Sequence, residues 1–167
     1  MLRLSKLTDY AVVVLIRLEE GQRGGGDGMQ TSPGIAQATG VPEPTVAKVL
    51  KALTTASMVA SLRGARGGYR LLKPLAGISV ADVIAAIDGP IALTACVDGN
   101  MGSCDVQGMC AVKGRWDLVN SAMLTALSSI TLADMRAASV PPAFRIADRA
   151  AGSRPVESLP PEALPAE

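Results

Sequence analysis

Apolar residues recur at helical spacing in two separate stretches of the N-terminal half. Leu7, Ala11, Val14, Leu15 and Leu18 step by three and four residues, which predicts a helix from Ser5 to about Glu20 with one apolar face. Gly21 to Gly28 reads as a slack loop, with five glycines in eight residues. Thr31 or Ser32 can cap a second, short helix that carries Pro33 at its start and runs to about Thr39. Past a tight turn at Gly40-Val41, the steps Val46, Val49, Leu50 and Leu53 predict a third helix from about Pro42 to Thr55. The pattern then shortens to two strands, about Val59–Leu62 and Gly68–Leu72, joined by the glycine-rich turn Arg63–Gly68. A fourth helix is expected over Ser79–Ile87, stopped by Asp88-Gly89-Pro90.

Beyond a glycine-rich stretch at 92–110, apolar positions return. Val112, Trp116, Val119, Met123, Leu127 and Ile130 step by four, three, four, four and three, predicting one long helix from about Ala111 to Ala137. Its seam either packs on its own domain or joins two copies. A helix of this length overhangs a small domain, which favours self-association. From Ser139 onward the chain holds six of its eleven prolines, with alanine and acidic residues, and reads as a tail without a fixed fold. No internal repeat is visible. The expected organisation is a DNA-binding domain over 1–90, a cysteine-rich loop over 91–110, a dimerisation helix over 111–137 and a tail over 138–167.

Helix, helix, glycine turn, helix and basic hairpin form the order of a winged helix–turn–helix, in a mainly α fold. A helix fits the major groove, where side chains near its N-terminus meet base edges. Here those are Glu43, Pro44, Thr45, Ala47 and Lys48, with Lys51 one turn on, near phosphate. Arg63 and Arg66 at the hairpin tip suit a minor groove or the backbone. Charge agrees: residues 1–73 carry ten Lys/Arg against five Asp/Glu, whereas residues 74–167 carry six against ten. The bland alternative is a solvated helix face beside an ordinary basic turn. One short module buries little surface, so a specific double-stranded operator calls for a homodimer with two half-sites.

The three cysteines, Cys96, Cys104 and Cys110, all lie on one glycine-rich loop. Core-filling cysteines would be scattered. Three on one loop can converge their sulfurs on a soft metal centre, and an odd number cannot close into disulfides within one chain. The longest apolar run, Ala11 to Ile16, is too short for a signal core or a membrane span, so a cytoplasmic, reducing compartment is expected. There, clustered thiols favour metal or redox work. An iron–sulfur cluster, [2Fe–2S] or [4Fe–4S], is the sharp reading, and three ordinary reduced thiols the bland one. With 2% aromatic residues, the core must be filled by Ala, Val, Leu, Ile and Met.

Several segments together carry a resemblance: Leu4-Ser-Lys-Leu-Thr-Asp-Tyr-Ala11, the wing Leu62–Arg70, the run Ile78–Asp88, the cysteine loop followed by Trp116, and Thr131-Leu-Ala-Asp-Met135. Over residues 1–136 the chain resembles the iron–sulfur winged-helix regulators of the IscR and NsrR type, most of all those of the SUF iron–sulfur assembly system. The resemblance implies a homodimeric repressor whose cluster lies between the dimerisation helix of one subunit and the DNA-binding region of the other. Cys96, Cys104 and Cys110 fall on the family's thiolate positions.

Departures from the pattern matter. Seven residues separate the first two cysteines, more than in IscR. IscR uses a histidine three residues after its last cysteine. Lys113 stands there, and the chain contains no histidine. A protonated lysine has no lone pair to give. A fourth ligand is therefore expected from Asp9 of the partner subunit, matching the carboxylate of the nitric-oxide sensor. Asp98, Asp105 and an external thiol are alternatives, and Asp9 is otherwise a charge that complements its helix dipole. Ala47 replaces a glutamate that IscR uses in cluster-dependent site choice.

Other classes compete. A cluster-bearing redox enzyme would need a substrate site, and the sequence offers no nucleophile–base pair and no nucleotide-binding turn. No small-molecule substrate is expected. A zinc-stabilised interaction module is compatible with the thiolates. A nitric-oxide or redox sensor controlling other genes is a third possibility. Neither the enzyme nor the zinc module accounts for the basic helix–turn–helix and wing.

Overall fold

The computed structural model describes residues 4–24, 28–64, 67–94, 97, 110, 112 and 114–137. Most of the cysteine loop and the tail 138–167 lie outside the described residues. Helix α1 (Lys6–Arg23) starts at Ser5, whose side chain accepts from the Thr8 N–H. It runs through Gly21, three residues past its expected end. Helix α2 (Ser32–Thr39) is capped by Thr31 and closed by Gly40 at φ +72°. The turn then feeds α3 (Glu43–Thr55). Strands β1 (Val59–Leu62) and β2 (Gly68–Leu71) pair antiparallel, with Val59 opposite Leu71 and Leu62 opposite Gly68. A 3-10 turn at Leu75–Gly77 leads to α4 (Val80–Asp88).

One face of α1 forms the centre of the core: Ala11, Val14, Leu15 and Leu18 have no solvent exposure. Val46, Val49, Leu50 and Leu53 of α3 close over them, as their spacing predicts, and Ile35 of α2 joins them. The N-terminus of α1 is also tied to the far end of α4. Thr8, 2% exposed, donates from Oγ1 to Asp88 Oδ2 at 2.7 Å and shares a 3.1 Å hydrogen bond with Ser5 Oγ.

The continuous helix expected over 111–137 is not what forms. Gly114 sits at φ +73°, outside helical backbone, and α5 spans Trp116–Ser129. At Ile130 the chain turns extended (φ −100°, ψ 118°), and a separate helix α6 follows at Leu132–Ala137. The break has a specific cause. Thr131 caps α6: Asp134 N donates to Thr131 Oγ1, while the Thr131 backbone and hydroxyl both donate to Asp134 Oδ2. Ser79 and Asp82 form the same box at the start of α4. The two caps lie side by side as an antiparallel bridge, with Val80 N to Ile130 O and Leu132 N to Ile78 O both at 2.9 Å. Leu132 is then fully buried in the core, and Arg136 pairs with Glu19 of α1. The C-terminal part of the expected dimerisation helix therefore packs into the same core as α1.

The seam of α5 divides in the same way. Met123 and Leu127 line a groove with Leu4 and Ile84 of their own domain. Val112, Trp116, Val119 and Ile130 stay exposed.

Two predictions come from this packing. Helix α3 ends in a Schellman motif, with Met58 N to Leu53 O and Ser57 N to Thr54 O both at 3.0 Å, and this holds Ser57 at φ +56°. Glycine adopts that conformation without the Cβ penalty, so Ser57→Gly should raise unfolding free energy by about 1 kcal/mol in a urea titration. Asp88 gives a pH effect. Partial burial raises its pKa, but hydrogen bonds from the Thr8 and Ser5 side chains and the Ser5 backbone together outweigh this and lower it. A carboxylate held low in the folded state stabilises above its unfolded value and loses that contribution as pH falls through the lowered one. Thr8→Val should thus shrink the stability lost between neutral pH and pH about 3, by less than about 1 kcal/mol because Asp88 is largely solvent-screened. An acid limb unchanged in thermal melts of Thr8→Val would contradict this.

Candidate nucleic-acid interface

Helix α3 turns four apolar side chains inward, and this fixes what faces out. Glu43, Pro44, Ala47, Lys48 and Lys51 are exposed, whereas Thr45 is half-buried. Five of the six α3 residues expected to meet DNA thus share the solvent side of the helix. Glu43 lies in the first turn, where the helix dipole favours a carboxylate. Lys48 and Lys51 also border a shallow groove toward α4, floored by Ala52, Ala85 and Ala86.

The wing projects from the C-terminal end of α3. Arg63 is exposed at the end of β1, and Gly64 takes φ +109° to turn the tip. Gly67 N closes the turn on Gly64 O at 2.8 Å. Arg66 lies outside the described residues. Arg70 on β2 and Lys73 just beyond it are exposed, adding to the positive surface.

One feature of the wing has no counterpart in the apolar pattern. Gln30 pairs with Tyr69 on the free edge of β2, Gln30 N to Tyr69 O at 3.0 Å and Tyr69 N to Gln30 O at 2.8 Å. The side-chain amide of Gln30 reaches α1, donating to Arg17 O and Leu18 O. Gln22 of α1 donates to Leu71 O at 3.3 Å. The only sequence trace of this arrangement is the placing of Gly21 and Gly68, each of which leaves room for Gln30.

Of the expected metal ligands, Asp9 and Cys110 are among the described residues. Asp9 is exposed in the first turn of α1, on the rim of a groove of about 300 Å³ lined by Leu4, Val12, Val83 and Met135. Cys110 is a free, half-buried thiol. Cys96, Cys104, Asp98, Asp105 and Lys113 lie outside the described residues. Among the described residues no group of three or more His, Cys, Asp or Glu side chains gathers into a metal site. The segment that leads into the cysteine loop is nevertheless held firmly. Asn120, buried in α5, donates to Ile91 O at 3.0 Å and accepts from Leu93 N at 3.1 Å. This satisfies a buried amide and fixes the backbone three residues before Cys96.

No helix among the described residues is long and apolar enough to cross a membrane. A family model described as Rrf2, an iron-dependent transcriptional regulator, matches residues 4–138. An rrf2-like HTH-type transcriptional regulator of Rhodobacter capsulatus is 32% identical over 143 residues, which is 83% of this chain and 95% of the relative. Among solved structures, CymR, the global cysteine regulator of B. subtilis, is similar at 26% identity and a TM-score of 0.60, covering 84% of this chain and 100% of its own. IscR of T. potens is similar at 27% identity and a TM-score of 0.57, covering 84% of this chain and 93% of its own. With its mainly helical fold, two-stranded wing and exposed basic α3, the chain belongs to the Rrf2 family of winged-helix transcriptional regulators, which are not enzymes.

Proposed function

We propose that this regulator is a homodimeric repressor of iron–sulfur assembly genes of the SUF type, responding to a cluster bound by Cys96, Cys104 and Cys110. The observation that carries the reading is the bipolar layout of α1. One end of this helix exposes Asp9 and is tied through Thr8 to Asp88, three residues before the Ile91–Leu93 segment held by Asn120, and the other end holds the wing. DNA contact is assigned to Glu43, Pro44, Thr45, Lys48 and Lys51 of α3 and to Arg63 and Arg66 of the wing.

Self-association is supported by α5. Leu118, 78% exposed, and Val119 stand at neighbouring outward positions of α5, apolar side chains that a second copy of the helix would cover, and Val112, Trp116 and Leu124 are also exposed. Pairing two α5 helices would set the distance between two α3 helices, as two half-sites require.

The donor set fits the group. Thiolates suit iron–sulfur clusters, Cys110 is free, and an exposed carboxylate at Asp9 is open to a partner subunit. A bound cluster would supply a centre whose stability depends on iron and oxidants. The three thiolates and the partner subunit's Asp9 would then tie α5 of one copy to α1 of the other. Asn120 and the Thr8–Asp88 tie hold the two sides of that junction. Operator affinity changes only if the tied and untied arrangements differ in how well they bind DNA. A second reading, a nitric-oxide or redox sensor of other genes, is favoured by one feature: with no histidine in the chain, an oxygen ligand is the natural fourth donor and makes the centre more labile.

Protein purified without oxygen should show broad sulfur-to-iron absorption that bleaches with a chelator. Loaded protein should bind its operator at least about tenfold tighter than cluster-free protein, a coupling of roughly 1.4 kcal/mol. Changing all three cysteines to alanine should preserve the helical circular dichroism and abolish that difference. Equal affinity of loaded and cluster-free wild type would refute cluster control, and a colourless protein carrying zinc would favour the interaction module. For the interface itself, Arg63→Ala should weaken operator binding and reduce the slope of log affinity against log salt by about one. An unchanged affinity and slope would remove the wing from the DNA.

A further inference from the structure

Gln30 is the best-connected polar residue between the wing and the rest of the domain. Its backbone makes both bonds of an antiparallel bridge to Tyr69, so β2 has β1 on one edge and Gln30 on the other. Its side chain points away from the sheet. Nε2 donates to Arg17 O at 3.0 Å and to Leu18 O at 3.2 Å, using the second lone pair of carbonyls inside α1.

Two glycines make the seat possible. A Cβ on Gly21 would fall onto the Gln30 side-chain amide, and one on Gly68 would stand 2.8 Å from Gln30 O. Gln22 gives β2 a second bond to α1, at Leu71 O. A hairpin of two four-residue strands is marginal alone and takes its direction from whatever holds it. Here that support is the core, entered by Val59 and Leu71, together with α1, reached through two glutamine amides.

We infer that Gln30 is a positioning residue for DNA binding: its amide sets the angle of the wing against α1 and thereby where Arg63 stands on the operator. The inference rests on the proposed placing of the wing against DNA. Losing the amide leaves the core untouched, because Gln30 is half-buried and the α1 carbonyls keep their helical acceptor role. The wing stays folded and keeps the Gln30 backbone bridge and its buried Val59 and Leu71, but its tip takes a wider range of angles. The cost then appears as weaker, less directed binding.

Two variants separate position from folding. Gln30→Met keeps the length, stays neutral and lacks the donor. Gly21→Ala displaces the amide while improving intrinsic helix propensity, so it has no reason to lower the melting temperature much. Each should weaken operator binding of the full-length dimer about fivefold with a thermal midpoint close to wild type. The decisive arm is a double-mutant cycle with Arg63→Ala. If Gln30 acts by placing Arg63, Gln30→Met should cost less than about twofold in the Arg63→Ala background.

An equal fivefold loss in both backgrounds would overturn the inference, as would unchanged affinity in both single variants. If Arg63→Ala itself leaves binding and salt slope unchanged, the wing is not on the DNA and the positioning role falls with it. A loss on Arg63→Ala with none on Gln30→Met or Gly21→Ala would overturn the positioning role alone.

Discussion

The burial of one face of α1 is the contact on which the other elements depend. Ala11, Val14, Leu15 and Leu18 are fully covered, and full burial of a Val or Leu side chain stabilises by roughly 1.5–3 kcal/mol each before entropy is counted. The elements around them are short. Helix α2 has eight residues and α6 has six, lengths at which an isolated helix does not persist in water. Ile35 and Leu132 hold them in place by entering the α1-centred core. The orientation of α3, and so the direction of its basic face, follows from the same packing, since Val46, Val49, Leu50 and Leu53 close the other side.

The second constraint is local. Two capping boxes, Ser79 with Asp82 and Thr131 with Asp134, meet across a two-residue bridge. Of the orphan N–H groups at each helix start, the cap oxygen takes that of Asp82 or Asp134, and the bridge takes that of Val80 or Leu132. Hydrogen bonds from the Thr131 side chain and backbone also hold the Asp134 pKa down, consistent with an ionised carboxylate in the cap. The result is that α5 is anchored at both ends: Asn120 grips the chain before the cysteine loop, and the bridge returns the chain to the domain after Ile130. A strut fixed in this way can carry a change in the loop to the domain, where a free overhanging helix could not.

Much of this was legible in the sequence because one period governs each element. The strands β1 and β2 fall within a residue of their expected limits, since Gly64 and Gly67 leave the hairpin little choice of turn. The first and third helices follow from apolar steps that serve one core, and the second from its Thr31 cap and Pro33. The long helix misled for a physical reason. Its three- and four-residue steps continue through Ile130, so periodicity alone carries the helix on, while the stop lies in Thr131 and Asp134. That pair has the spacing of a capping box and is readable once sought. Gln30 was not legible in this way. A polar side chain bonding to backbone carbonyls leaves no periodic trace, and its signature is two glycines far apart in sequence. The convergence of Cys96, Cys104 and Cys110 rests on the sequence and the resemblance, because two of the three lie outside the described residues.

The same helix that organises the core links the two poles of the proposed function. Asp9 and Gly21 are twelve residues apart on α1, about 18 Å along a helix that rises 1.5 Å per residue. Over that length the hydrogen-bonded backbone moves as a unit, so a tilt imposed near Asp9 is felt at Arg17, Leu18 and Gln22, the residues from which the wing hangs. Helix α3 is joined to α1 by apolar packing, which tolerates small sliding. The wing shares that packing through Val59 and Leu71 and adds directional hydrogen bonds, which tolerate less. A displacement of α1 would thus redirect the wing more than it redirects α3. On the proposed function, the sensor would then act mainly on the spacing between recognition helix and wing within each half-site. It would act less on the shape of α3 itself, whose core contacts are the same in either arrangement.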